Sequence, residues 1–86
     1  MTKIEIYSKS YCPYCKRAKA TLNSLGLAFE EYEITQNQKL TTEMLERSGR
    51  KTVPQIFIDD QHIGGCDEFH DALRSGALTH LIALTK

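Results

Sequence analysis

An α/β fold in the order β-α-β-α-β-β-α, with a central four-stranded mixed sheet flanked by helices, is predicted by three observations. A β-branched and aromatic run, Lys3 to Tyr7, leads into a helical pattern that opens at Pro13. A second strand pattern, Phe29 to Ile34, follows that helix, and a crossover of this length implies a parallel, right-handed βαβ unit. Further on, Gln55-Ile56-Phe57-Ile58 and His62-Ile63 flank the turn pair Asp59-Asp60, which reads as an antiparallel hairpin.

Each element has its own signals. In the first helix, Tyr14, Ala18, Leu22 and Leu25 recur at helical spacing and Gly26 stands as the stop. Phe29 to Ile34 alternates apolar with acidic residues, as a half-buried strand does. Thr35 or Asn37 can cap a second helix running through Ser48, with Leu40, Met44 and Leu45 facing inward and Gly49 ending it. Gly64-Gly65 closes the hairpin, Asp67 can cap a third helix through Arg74, and Gly76 breaks it. Leu78, Leu81 and Ile82 supply an amphipathic C-terminal segment.

Length and charge narrow the function. The 86 residues suit one domain over 1–86, with no linker, repeat or low-complexity stretch. Eleven basic residues balance eleven acidic ones, so no polyanionic partner such as nucleic acid is expected. No apolar run reaches the length of a membrane span, and Met1-Thr2-Lys3-Ile4-Glu5-Ile6 lacks the apolar region of a signal peptide, so the expected compartment is the cytoplasm. Three cysteines, an odd number, argue for thiols used chemically or for metal and against a disulfide scaffold.

Cys12-Pro13-Tyr14-Cys15 is where those thiols meet a helix start. The thiolate attacks a disulfide, so a redox cysteine needs a lowered pKa and exposure. Just ahead of a helix, the Cys12 sulfur faces free backbone N–H groups and the positive end of the dipole. Lys9, Lys16, Arg17 and Lys19 crowd the same end, where acidic residues would suit the dipole better. These cations either stabilise a thiolate or are solvated side chains on an exposed face. Cys15, one turn on, is placed to attack a mixed disulfide at Cys12. Pro13 stiffens the turn between them. The competing use of a CxxC is zinc, which needs four ligands; Cys66, His62, His70 and His80 are left to complete a set, and their distance from Cys15 is outside zinc-ribbon spacing. Lys16 stands where haem attachment needs histidine. No metal is expected.

With a strand running into Cys12-Pro13-Tyr14-Cys15, Thr52-Val53-Pro54 before the hairpin and Gly64-Gly65-Cys66-Asp67 after it, the chain resembles a bacterial dithiol (CPYC) glutaredoxin over essentially its whole length. The resemblance implies a thioredoxin-like fold, matching the element order above. It implies reduction of protein disulfides and glutathione mixed disulfides, with Cys12 as nucleophile, Cys15 as resolving thiol and a redox-active Cys12–Cys15 disulfide. Glutathione is then the electron-donating co-substrate, no cofactor is tightly bound, and the protein is a monomer. By the same resemblance Pro54 is cis, and the Val53 backbone pairs with bound glutathione like an added strand. Lys9 lies near the glycyl carboxylate, Tyr14 flanks the cysteinyl part, and Thr52 and Val53 line the site. Gly65, Cys66 and Asp67 receive the γ-glutamyl end, as backbone N–H groups at a helix start suit a carboxylate. Asp67 meets the amino group, acts as N-cap, or both.

Arg50 or Lys51 gives a second positive contact, and the sequence does not choose between them. Gln55 is not assigned to the site, and Glu68 keeps the negative charge of the Asp that many relatives carry. Cys66 either packs as a small buried thiol or takes a redox role. Disulfide-containing and glutathionylated proteins are the implied partners, ribonucleotide reductase among them. Two competing readings fit less well. Thioredoxins carry Trp before CGPC, whereas Tyr11 precedes CPYC here and Trp is absent. Iron–sulfur carriers more often have Gly or Ser where this chain has Pro13.

Overall fold

The computed structural model describes residues 3–78, and the expected C-terminal contributions of His80, Leu81 and Ile82 lie outside them. Seven elements follow the predicted order: β1 (Ile4–Ser8), α1 (Pro13–Ser24), β2 (Glu30–Glu33), α2 (Gln38–Ser48), β3 (Gln55–Ile58), β4 (Gln61–Gly64) and α3 (Cys66–Ser75). The strands form one mixed sheet in the order β2-β1-β3-β4, with β1 parallel to β2 and antiparallel to β3, and β3 antiparallel to β4.

Both faces of the sheet are covered, and the period of two along the inner strands divides the core. Ile4, Ile6, Ile56 and Ile58 pack with Ala18 and Leu22 of α1 and with Cys66 and Phe69 of α3. Tyr7 and Phe57 point to the opposite face, against Met44 of α2 and Ile34. Every residue of β1 and β3 is buried, as inner strands require. The glutamate-rich β2 is an edge strand with an exposed face, and charged side chains there discourage pairing with another chain.

Some helix faces differ from the sequence expectation. The buried stripe of α1 is Cys15, Ala18 and Leu22, while Tyr14 and Leu25 are exposed. Tyr14 sits in the first turn of α1, where its exposure agrees with the place beside the cysteines that the family resemblance implied. On α2, Met44 is buried and Leu40 half-buried, but Leu45 is exposed, one residue past the stripe. Asn37, not Thr35, caps α2, its side chain accepting from the Leu40 N–H at 3.0 Å. Gly49 and Gly76 end α2 and α3 in the left-handed region. Asp59 and Asp60 turn the hairpin with positive φ, 51° and 68°, and the Asp59 carboxylate accepts from the Lys3 N–H at 2.8 Å.

Candidate active site

Three chain segments meet at one end of the sheet: the β1–α1 turn, the connection from α2 to β3, and the β4–α3 turn. Cys12 is the N-cap residue of α1 in extended conformation, with Pro13 at the first helical position. Its own N–H donates to the Lys9 carbonyl at 3.0 Å. The Cys12 sulfur is partly exposed, whereas Cys15, one turn along, is buried with its sulfur accepting from the Lys9 N–H at 3.5 Å.

These settings drive the two thiols apart. Burial works against a Cys12 thiolate, but the Cys15 N–H and thiol, the Tyr14 N–H and the Lys9 charge together outweigh it and lower the pKa from its ordinary value. Burial pushes Cys15 up to about 12, and hydrogen bonding to Cys12 and its charge add to that rise. Both helix-start N–H groups are the free donors of the first turn, as the sequence expectation required.

The expected cation cluster is only partly engaged. Lys9 acts on Cys12, but Lys19 is turned to β2, its amine 2.6 Å from Glu31. Of the two alternatives open for Lys19, neither holds as stated: it is paired with Glu31 instead of standing solvated, and its charge acts on Cys15. Lys16 is exposed at the helix surface.

A cavity of about 320 Å³ opens beside the cysteines. Tyr14 lines it from α1; Arg50, Thr52, Val53 and Pro54 line it from the loop before β3; Gly65, Cys66, Asp67 and Glu68 line it from the start of α3. The Val53–Pro54 peptide is cis, and the Cys12 thiol donates to the Val53 carbonyl at 3.9 Å. Eight of the ten expected site residues thus fall at the cavity wall or the cysteine beside it, Cys12 joining through Val53. Lys9 and Cys15 are not among the lining residues; they are joined to Cys12 through the Lys9 main chain.

Asp67 is not the N-cap of α3. Gly65 is, and Asp67 sits in the first helical turn, exposed to the cavity. The cap is supplied by Glu68, whose carboxylate accepts from the Gly65 N–H at 2.8 Å. The same carboxylate pairs with the Arg50 guanidinium through two contacts, 2.5 and 3.0 Å. Arg50, followed by the Gly65 N–H, holds the Glu68 carboxyl down at about 2. The structure thereby chooses Arg50 over Lys51 for the cavity wall. The signal for Glu68 was present in the sequence as the glutamate three residues after a helix-capping glycine, but its partner Arg50 is eighteen positions away and left no local trace.

Cys66 is buried beside Phe69, its sulfur 3.4 Å from His70 Nδ1, and burial raises its pKa. Gln55, unassigned by sequence, is also buried here, hydrogen-bonded to Thr52 and His62. Among the described residues, no group of three or more His, Cys, Asp or Glu is placed to hold a metal.

The glutaredoxin family model matches residues 4–63. Glutaredoxin 3 of Escherichia coli strain K12 is 54% identical over 82 residues, covering 95% of this chain and 99% of that protein. Glutaredoxin of Pseudomonas aeruginosa is 40% identical over 83 residues, covering 96% and 99%. Among solved structures, a buckwheat glutaredoxin–glutathione complex superposes with a TM-score of 0.85 at 33% identity, covering 95% of this chain and 77% of that one. The solution structure of glutaredoxin from Brucella melitensis gives 0.81 at 44% identity, covering 100% and 94%. The matched span begins at β1, takes in the cysteine pair and the proline loop, and reaches the hairpin; with identity continuing to both ends of the relatives, this chain belongs to the glutaredoxins, glutathione-dependent thiol–disulfide oxidoreductases of thioredoxin-like fold.

Proposed function

We propose that Cys12 is the nucleophile and Cys15 the resolving thiol, with glutathione seated in the adjoining cavity. The observation that carries the assignment is the divergence of the two thiols: one lowered at a helix start and partly exposed, the other buried and pushed up to about 12. Of the two, the first is the one whose setting favours the nucleophilic thiolate.

The Cys12 thiolate attacks the glutathione sulfur of a glutathionylated thiol, forming a Cys12–glutathione disulfide and releasing the protein thiolate, which takes up a proton. A second glutathione, as thiolate, attacks the bound glutathione sulfur, regenerating the Cys12 thiolate and leaving oxidised glutathione. With a protein disulfide, the mixed disulfide at Cys12 is attacked by Cys15, whose proton passes to the departing protein thiolate. An internal Cys12–Cys15 disulfide remains, reduced by two glutathiones. Once Cys12 is in a mixed disulfide, its negative charge no longer raises Cys15, which favours the resolving step.

Glutathione is read into the cavity by matching groups. The Val53 main chain faces the cysteinyl part, Tyr14 flanks it, and Lys9 with Arg50 meets the glycyl carboxylate. Backbone N–H groups at Cys66 and Asp67 meet the γ-glutamyl carboxylate, and the Asp67 side chain its amino group. The buckwheat relative, solved as a glutathione complex, supports glutathione as the ligand. Protein substrates are disulfide-bearing or glutathionylated chains, with ribonucleotide reductase one candidate by family resemblance. The compartment that suits such thiols is the cytoplasm; among the described residues no helix is long and apolar enough to cross a membrane.

Reduction of a glutathionylated peptide, coupled to glutathione reductase and NADPH, tests the assignment. Cys12→Ser should abolish turnover, whereas Cys15→Ser should retain it and lose reduction of a protein disulfide. Turnover surviving in Cys12→Ser would reverse the roles.

A further inference from the structure

Gln55 is the first residue of β3 and directly follows Pro54, yet its side chain is 1% exposed and polar. Burying an amide is unfavourable unless its donors and acceptor are all satisfied, and an aliphatic residue would fill an inner strand at less cost. Here the side chain folds back over the proline. Its Nε2 donates to the Thr52 carbonyl at 3.0 Å and lies 3.1 Å from the Thr52 hydroxyl. The orientation is determined, because a carbonyl can only accept and the amide nitrogen must therefore face Thr52. Its Oε1 is left needing a donor, and His62 Nε2 stands 2.7 Å away. His62 Nε2 thus carries the proton.

His62 is fixed to the sheet in turn. It lies on β4, and its ring meets the Phe57 ring at 5.0 Å between centroids. A continuous chain runs from the packed sheet through His62 and Gln55 to the Thr52 main chain. The next residue, Val53, presents the carbonyl 3.9 Å from the Cys12 sulfur. We propose that Gln55 and His62 are positioning residues that hold the Thr52–Val53 main chain in register with the Cys12 sulfur and the cavity. The inference rests on the reading of that cavity as the glutathione site and adds what keeps its wall in place. A loop wall that drifts by a fraction of an ångström weakens recognition of the extended substrate without touching the thiols.

The test compares Gln55→Glu, His62→Phe and His62→Gln with wild type in turnover of a glutathionylated peptide. Gln55→Glu keeps volume but sets an acceptor against the Thr52 carbonyl; His62→Phe keeps a ring on Phe57 and removes the donor; His62→Gln returns an N–H. KM should rise roughly fivefold or more in Gln55→Glu and about threefold in His62→Phe, the loss expected of a net hydrogen bond, with kcat within about twofold. His62→Gln should return KM towards wild type. Alkylation of Cys12 by iodoacetamide, a reagent that makes no pairing with the loop main chain, should keep its pH profile in the two uncharged His62 variants; Gln55→Glu is left out of this control because a new carboxyl near the thiolate would shift the profile by itself. If Gln55→Glu does not fold, the His62 pair decides alone. An unchanged KM in folded His62→Phe, or a KM in His62→Gln raised as much as in His62→Phe, overturns the inference. A wild type that does not turn over the peptide overturns the proposed function itself, a separate outcome from equal KM values in active proteins.

Discussion

Cys12 and Cys15 are the same side chain one helical turn apart, and what separates them is which atoms face each sulfur. Cys12 looks along the free N–H groups of α1, while Cys15 is covered by the core. Alkylation of Cys12 should therefore show a midpoint below the ordinary thiol range, and Lys9→Gln should move it upward by less than about one unit, because its charge is one of several lowering influences. Lys19→Gln should leave that midpoint in place, since its amine is held by Glu31. Iodoacetamide rates against pH measure both. Equal shifts in the two variants would mean that the whole cationic end of α1 acts on the thiolate.

At the scale of elements, the start of α3 depends on a glutamate that serves two segments. Glu68 caps the helix at Gly65 and holds Arg50 from the loop after α2. Gly64, immediately before, has φ +120°, and a Cβ there would run into the Glu68 carboxylate, 2.7 Å from its Cδ. Gly64→Ala should cost about 1–3 kcal/mol from backbone strain alone and displace the carboxylate from its two partners. Urea unfolding gives the first effect, and a raised KM for glutathione the second. Because Arg50 and Glu68 are both well exposed, Glu68→Gln, whose amide oxygen still accepts from the Gly65 N–H, should change stability by no more than about 1 kcal/mol, through the weakened pairing with Arg50.

Across the whole molecule, the sheet carries a polar network on its α2 face. Glu5, buried on β1, is paired with Arg47 at 3.0 Å and accepts from the Tyr32 hydroxyl at 2.9 Å; the Tyr7 hydroxyl donates to Glu43 at 2.5 Å. The Arg47 guanidinium also lies 4.0 Å from the Phe57 ring centroid. Burial, then the neighbouring carboxylates, push Tyr7 and Tyr32 up to about 12, the same value that burial imposes on Cys15. A group whose folded pKa is raised stabilises the fold below its unfolded value and loses that contribution as pH climbs to the folded value. The ordinary values are 9.0 for the thiol and 10.0 for the phenols, so stability should fall between pH 9 and about 12. Cys12, lowered, has the opposite sign, and its contribution is complete above pH 9. Denaturant midpoints of the reduced protein across this range measure the fall, and Cys15→Ala should lessen it; a flat profile would show that these groups are not held in their folded settings.

By itself the sequence determined the order of elements, the strand-to-helix position of the cysteine pair, the turn at Asp59-Asp60 and the glycine stops, because periodicity and capping act over a few neighbouring residues. It also carried the family resemblance, since the three motifs keep their spacing. Only the tertiary structure decided which alternatives were realised: Arg50 rather than Lys51 at the cavity, Glu68 rather than Asp67 as the cap of α3, and Glu31 as the partner of Lys19. Gln55 belongs to the same group, for its place depends on Thr52 behind it and on His62 across the hairpin. Each of these rests on side chains brought together by chain crossings, and no local pattern encodes which of two adjacent cations or carboxylates a distant partner will reach.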